Sequence, residues 1–225
     1  MTLPSAASTG AGLPIVILIS GRGSNMRVIA ERAASGALPV EIRAVISDKA
    51  DAPGLATASA MGIPAVALSP GQFADRAAYD AALASLVAGY EPKLVVLAGF
   101  MRILTPTFIE PFAGRILNIH PSLLPRYRGL HTHRRALEAG DAEHGVSVHL
   151  VTQELDGGPV IIQAHVPVLP SDTEDSLSAR VQREEHRIYP LVIDWIARGR
   201  LTLEGELPRL DGEVLHVPVR FTNGD

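Results

Sequence analysis

Cysteine is absent from this 225-residue chain. Disulfides, thiolate metal sites and cysteine nucleophiles are therefore excluded, and the absence fits a reducing compartment. Aromatic residues make up only 4%, so Leu, Val, Ile and Ala must build the core. No apolar run approaches the roughly 20 residues that span a bilayer. There is no long basic run, and the net charge is -4. Nucleic acid is thus not the expected main partner, because a phosphate backbone requires clustered Lys and Arg. Residues 1–12 are small and polar with no basic residue before an apolar stretch, which does not read as a secretory signal. They offer nothing to bury and predict a disordered leader. The expectation is a cytoplasmic protein that neither enters nor binds a membrane.

What is present is hydrophobic enough, at 47%, to bury one substantial core. The first half alternates two kinds of segment. The continuous apolar run at 14–19 reads as a strand covered on both faces, 93–98 as another buried strand, and 40–47, 65–68 and 115–120 as further strands. Between them, 26–34, 54–61 and 75–88 read as helices, the last capped by Asp75, with a helical turn over 105–111. This alternation predicts an α/β fold: a mostly parallel, Rossmann-like twisted sheet with helices on both faces. The second half differs. A helix is expected over 130–139. Strands over 146–151 and 160–168, joined by a short loop, predict antiparallel pairing. The longest helix spans 171–198, capped by Ser171 or Asp172. A single domain over 13–200 is expected, with 201–225 as a surface tail of short strands.

Three segments carry candidate chemistry. Leu117-Asn118-Ile119-His120-Pro121 ends an apolar strand. Residues two apart in a strand project to the same side, so Asn118 and His120 would point together. Pro121 keeps His120 extended and discourages further pairing. An amide donor beside an imidazole suits reactions at a carbonyl: one stabilises an oxyanion, the other moves protons. The plain alternative is a strand ending in a polar turn. Gly21-Arg22-Gly23-Ser24-Asn25 lies between the first strand and the first helix. Backbone N–H groups there can hold an anion, but Met26 stands where a dinucleotide fingerprint needs its third glycine. A single phosphate monoester fits better, and an ordinary strand-to-helix turn is the alternative. Asp156 precedes Gly157 and Gly158 in the loop between the two late strands. It could pair with His120 and stabilise an imidazolium, or serve only as a turn residue. Six of the eight histidines lie between His120 and His165. His131 and His133 would diverge on a helix, and no metal-ligand motif is present, so no catalytic metal is expected. Arg126, Arg128, Arg134 and Arg135 read mainly as a solvated face.

Asn118-Ile119-His120-Pro121-Ser122-Leu123-Leu124-Pro125, followed by Asp156-Gly157-Gly158, resembles the folate-dependent formyltransferases. The likeness runs from about residue 14 to 200. Within that family, Ile19-Ser20-Gly21-Arg22-Gly23-Ser24-Asn25, Ala98-Gly99-Phe100-Met101-Arg102-Ile103-Leu104 and Gly129-Leu130-His131-Thr132-His133 resemble the members that formylate glycinamide ribonucleotide. The resemblance implies formyl transfer from 10-formyltetrahydrofolate to the amine of glycinamide ribonucleotide, in purine biosynthesis, without a metal. It implies Asn118, His120 and Asp156 as the catalytic residues. It implies Gly23, Ser24 and Asn25 at the substrate phosphate, and Gln182 and Glu185 at the ribose. Arg76, Met101, Arg102, Ile103, Leu104, Asn118 and Val151 would form the folate side, with the 151–156 loop completing that pocket. Related hydrolases carry an extra N-terminal regulatory domain, and the related enzymes acting on methionyl-tRNA add a basic C-terminal domain. Neither extension is expected here. From another class, a non-catalytic nucleotide-binding module would leave Asn118, His120 and Asp156 unexplained. The partners implied are small molecules, with the oligomeric state open between a monomer and a weak homodimer.

Overall fold

The computed structural model describes residues 12–203 and 207–222. The leader expected over 1–12 lies outside the described residues, Gly12 excepted. In chain order the first half is β1 (Leu13–Ile19), α1 (Ser24–Ala34), β2 (Val40–Ser47), α2 (Pro53–Ala60), β3 (Ala65–Ala67), α3 (Arg76–Ala88), β4 (Leu94–Leu97), α4 (Pro106–Ile109) and β5 (Ile116–His120). The second half is α5 (Thr132–Glu138), β6 (Glu143–Leu150), β7 (Val160–Pro167), α6 (Glu174–Ala197), β8 (Leu201–Thr202), β9 (Arg209–Leu210), β10 (Glu213–Val214) and β11 (Val219–Phe221).

Eight strands form one sheet in the order β11-β7-β6-β5-β4-β1-β2-β3. The pairs from β5 through β4, β1 and β2 to β3 are parallel, and β5-β6 and β6-β7 are antiparallel. This is the mostly parallel α/β sheet with an antiparallel C-terminal part that the alternation predicts.

The period of two along each strand sorts the core into two layers. Ile15, Ile17 and Ile19 of β1 face one way, with Val96 of β4 and Leu117 of β5, and meet Met26 and Ile29 of α1 and Leu177, Val181, Ile188 and Ile193 of α6. Val16, Leu18, Val95, Leu97 and Ile116 face the other way, onto Tyr79 and Leu83 of α3 and Phe108 of α4. Apolar burial on both faces explains why β1 and β4 read as unbroken hydrophobic runs.

After β3 the chain crosses back to add β4 and then β5 on the far side of β1. The strand order therefore reverses between β1 and β4. In open α/β sheets, ligands bind outside the carboxyl ends of the strands at such a switch point.

Local details refine the sequence reading. Asp75 caps α3 as expected, its carboxylate accepting from Ala78 N at 2.8 Å. The cap of α6 is Thr173, not Ser171 or Asp172. Thr173 Oγ1 accepts from Ser176 N at 3.2 Å while Ser176 Oγ accepts from Thr173 N at 2.9 Å. That reciprocal box needs a hydroxyl three residues before Ser176. Asp172 is instead drawn into a two-pronged pair with Arg180, at 2.6 and 2.9 Å. Helix α5 starts at Thr132 and not at Leu130, because His131 takes a left-handed backbone with φ of 58°. His131 and His133 are therefore separated by the helix start and do not share a helix. In the tail, β8, β9 and β10 form a small separate sheet, whereas β11 joins the edge of the main sheet beside β7.

Candidate active site

The loop after β1 carries the first part of the site. Gly23 has φ of +67°, a conformation that disfavours any side chain. A Cβ there would lie 3.1 Å from the Met26 side chain and 3.4 Å from Gly54 Cα. The turn aims the first N–H groups of α1, which have no partner within the helix, at a cavity of about 280 Å³. Its walls include Ser20, Gly23, Ser24, Asn25, Gln182 and Glu185. Helix α6 closes this cavity from the side: Gln182 Nε2 donates to Ser24 Oγ at 3.2 Å, and Asn25 Nδ2 donates to Glu185 Oε2 at 2.8 Å. One N–H of Asn25 is thus directed to Glu185, and the donors left for an anion are the backbone N–H groups, the Ser24 hydroxyl and the second N–H of Asn25. Burial pushes the Glu185 carboxyl up from its ordinary value, and the Asn25 bond only partly offsets that. Less negative charge at Glu185 suits a cavity that takes an anion.

The second part is at the end of β5. Asn118 and His120 do project to one side, and the antiparallel neighbour β6 sets His149 opposite Asn118 and Ser147 opposite His120. His149 Nδ1 donates to Leu150 O at 2.8 Å. A carbonyl only accepts, so in the neutral ring Nε2 carries the lone pair. Burial holds this ring below its ordinary pKa, which keeps it neutral. Nε2 then accepts from Asn118 Nδ2 at 3.1 Å. That contact orients the amide and leaves its second N–H for the cavity.

Asp156 arrives from the β6-β7 loop with φ of +47°. Its Oδ2 lies 3.5 Å from His120 Nδ1, and its Oδ1 lies 3.7 Å from His149 Nε2. The Asp156 carboxylate also accepts from Gly129 N at 2.9 Å. The loop path requires glycine at 158, because a Cβ there would stand 2.0 Å from Leu150 O. The structure thus brings Asn118, His120 and Asp156 together, with their side chains largely buried. His149 joins them, and the sequence reading noted it only as one of a group of histidines.

The third part is an apolar cavity of about 440 Å³ whose walls include Met101, Arg102, Ile103, Leu104, Asn118 and Val151. Met101 and Ile103 are 66% and 55% exposed, a large apolar surface for side chains at a cavity mouth. Arg102 lies over the Tyr79 ring, 4.8 Å from its centroid. Arg76 is not part of the cavity wall; its guanidinium donates to Ile103 O and braces the 101–104 segment from outside. Ser20 Oγ accepts from Met101 N at 2.8 Å, linking that segment to the anion loop. The two cavities share Gly99, Met101, Ile119 and Pro121 as walls.

The four arginines of the 126–135 segment are held by local contacts. Arg126 pairs with Asp141, Arg128 with Glu154 and Arg134 with Glu174, while Arg135 donates to Arg128 O and Leu130 O. His133 and His144 hold each other at 3.2 Å. Among the described residues, no group of three or more acidic or histidine side chains is placed to hold a metal ion. No helix among them is long and apolar enough to cross a membrane.

Comparison with known proteins agrees with this fold. The profile of the formyl transferase family matches residues 13–193. Phosphoribosylglycinamide formyltransferase of Escherichia coli K12 is 56% identical over 201 residues, covering 89% of this chain and 95% of that protein. The protein of the same name from Haemophilus influenzae is 48% identical over 201 residues, with the same 89% and 95% coverage. The solved phosphoribosylglycinamide formyltransferase of Coxiella burnetii superposes with a TM-score of 0.89 at 48% identity, covering 94% of this chain and all of that one. The chain belongs to the formyl transferase family.

Proposed function

We propose that this protein transfers the formyl group of 10-formyltetrahydrofolate to the amine of glycinamide ribonucleotide, a step of purine biosynthesis. The observation that carries the reading is the position of Asn118, His120 and Asp156 on the wall of the apolar cavity, beside Ile119 and Pro121, which it shares with the anion cavity. One cavity offers backbone donors for a phosphate, with Gln182 and Glu185 on its wall for the ribose. The other offers an apolar slot for a flat pterin, gripped by main-chain groups of 101–104. A substrate in each brings an amine and a formyl group to the same three side chains.

The chemistry follows from the donors present. The amine attacks the formyl carbon, and its lone pair becomes the new C–N bond. The carbonyl electrons move onto oxygen. The free N–H of Asn118 stabilises that oxyanion, a contribution of about 2.7–4 kcal/mol in comparable sites. His120 has an acceptor at each ring nitrogen, Tyr127 O at 2.9 Å and Asp156 at 3.5 Å, so the imidazolium satisfies both contacts. Its charge favours the oxyanion, and a proton passes from the attacking nitrogen to N10 as the C–N10 bond breaks. General acid–base help of this kind is worth about 10² to 10⁴ in rate.

The test is to mix the purified protein with both substrates and follow release of the deformylated folate. Release that depends on the ribonucleotide is the expected result. Release without it indicates transfer to water, and no release in either case leaves a binding module.

A further inference from the structure

Between β5 and α5, three successive carbonyls are each taken by a different side chain. Ser122 Oγ donates to Arg126 O at 2.6 Å, His120 Nε2 to Tyr127 O at 2.9 Å and Arg135 Nη1 to Arg128 O at 2.7 Å. The next residue, Gly129, donates its N–H to Asp156 Oδ2 at 2.9 Å. The 127–129 segment therefore touches both partners of the His120–Asp156 pair: His120 at Nε2, the edge away from Asp156, and Asp156 at Oδ2, the oxygen nearest His120. Tyr127 reaches this position in the left-handed region, with φ of +55°. A side chain there costs on the order of 1–3 kcal/mol and persists only where surrounding contacts hold it.

Several such contacts hold Tyr127. Tyr127 Oη donates to Asp141 Oδ2 at 2.6 Å, and Arg126 Nη2 takes Asp141 Oδ1 at 2.5 Å. The guanidinium groups of Arg126 and Arg135 lie 5.4 and 5.2 Å from the Tyr127 ring centroid. The His144 ring meets it edge-on at 6.1 Å. Burial opposes ionisation of Asp141, yet the bonds from Tyr127 and Arg126 outweigh it and hold its carboxyl below the ordinary value. The anchor is thus a charged acceptor, which strengthens the bond to the Tyr127 hydroxyl.

We propose that Tyr127 is a positioning residue for the transfer. Its main-chain carbonyl holds the Nε2 proton of His120, and its hydroxyl, fixed by Asp141, keeps that carbonyl in place. The proton that the His120 imidazolium gives to the leaving nitrogen and regains from the attacking amine is then carried at Nδ1, the edge facing Asp156. The inference rests on the proposed role of His120. Alone, Asp156 favours a hydrogen at Nδ1 of the neutral ring, and the Tyr127 carbonyl favours one at Nε2. Which tautomer the neutral ring adopts therefore reports whether the loop holds.

The experiment uses Tyr127→Phe and Asp141→Asn in the full-length protein, two routes to losing the same bond, each checked for folding by thermal melting. The 15N spectrum of the His120 ring is recorded in alkaline buffer, with His120→Ala as the assignment control. The wild type is expected to show the Nε2–H tautomer and the variants a growing Nδ1–H fraction. The variants' kcat is expected to fall about 10-fold with both KM values within about twofold. A His120 ring that keeps its Nε2 proton in either folded variant overturns the proposal, whatever happens to kcat. A role in stability alone would lower the melting temperature and leave the tautomer unchanged. Failure of the functional reading looks different: the wild type would then show no ribonucleotide-dependent transfer, or His120→Ala would turn over normally.

Discussion

Asn118 on β5 and His149 on β6 face each other across an antiparallel pair, with His149 Nε2 3.1 Å from the Asn118 amide nitrogen. Because Leu150 O fixes the hydrogen of His149 at Nδ1, the ring tells the amide which way to turn. Asn118→Ala is expected to lose about 10² to 10³ in kcat, the usual effect of removing an oxyanion donor. His149→Ala is expected to cost about 10-fold, and the double variant no more than Asn118→Ala alone. Steady-state kinetics of the three variants check this, and additive losses would show that His149 acts independently of the amide.

Asp156→Asn preserves an oxygen for Gly129 N but removes the charge beside His120. The protein is expected to fold normally while kcat drops by at least about 10²-fold. Wild-type turnover across neutral pH would remove Asp156 from the mechanism.

His144 is buried against His133, and burial first, then that neighbour, pushes it from the ordinary 6.5 down to about 4. Burial also lowers His133. Between these two pH values the unfolded chain binds a proton at His144 that the folded chain does not. Stability is therefore lost as pH falls from about 6.5 towards 4 and is constant with respect to this group above that window. The contribution is at most about 3 kcal/mol. Carboxylates titrate in the same range, so the comparison needed is between the wild type and His144→Gln. Denaturant midpoints are expected to fall less steeply on acidification in the variant, and equal slopes would contradict the assignment.

Gly158→Ala places a methyl group against Leu150 O, 2.0 Å from the ideal Cβ position, where only backbone can move. The loop carrying Asp156 must shift to admit it. The variant is expected to lose kcat together with some thermal stability, measured in one preparation. Full activity would show that the loop tolerates another path.

The parts of this site that lie on single elements were legible in the sequence. Asn118 and His120 share a strand face because of a period of two, and Gly23 to Asn25 mark a turn by composition. The apolar runs of β1 and β4 locate the switch point once their order in the sheet is known. What was not legible depends on register between elements. His149 becomes a partner of Asn118 only because β6 pairs with β5 at that register. Tyr127 meets His120 through a main-chain carbonyl, and no side-chain pattern announces that contact. The bond from Asn25 to Glu185 depends on where α6 packs, which no local pattern around residue 25 states. Ser171, Asp172 and Thr173 are all capping residues by type, and Ser176, inside the helix, decides for Thr173.

The most direct test of the account is steady-state kinetics of His120→Ala with glycinamide ribonucleotide and 10-formyltetrahydrofolate. The account predicts a fall in kcat of at least about 10²-fold with both KM values within about twofold of the wild type. An unchanged kcat would contradict it.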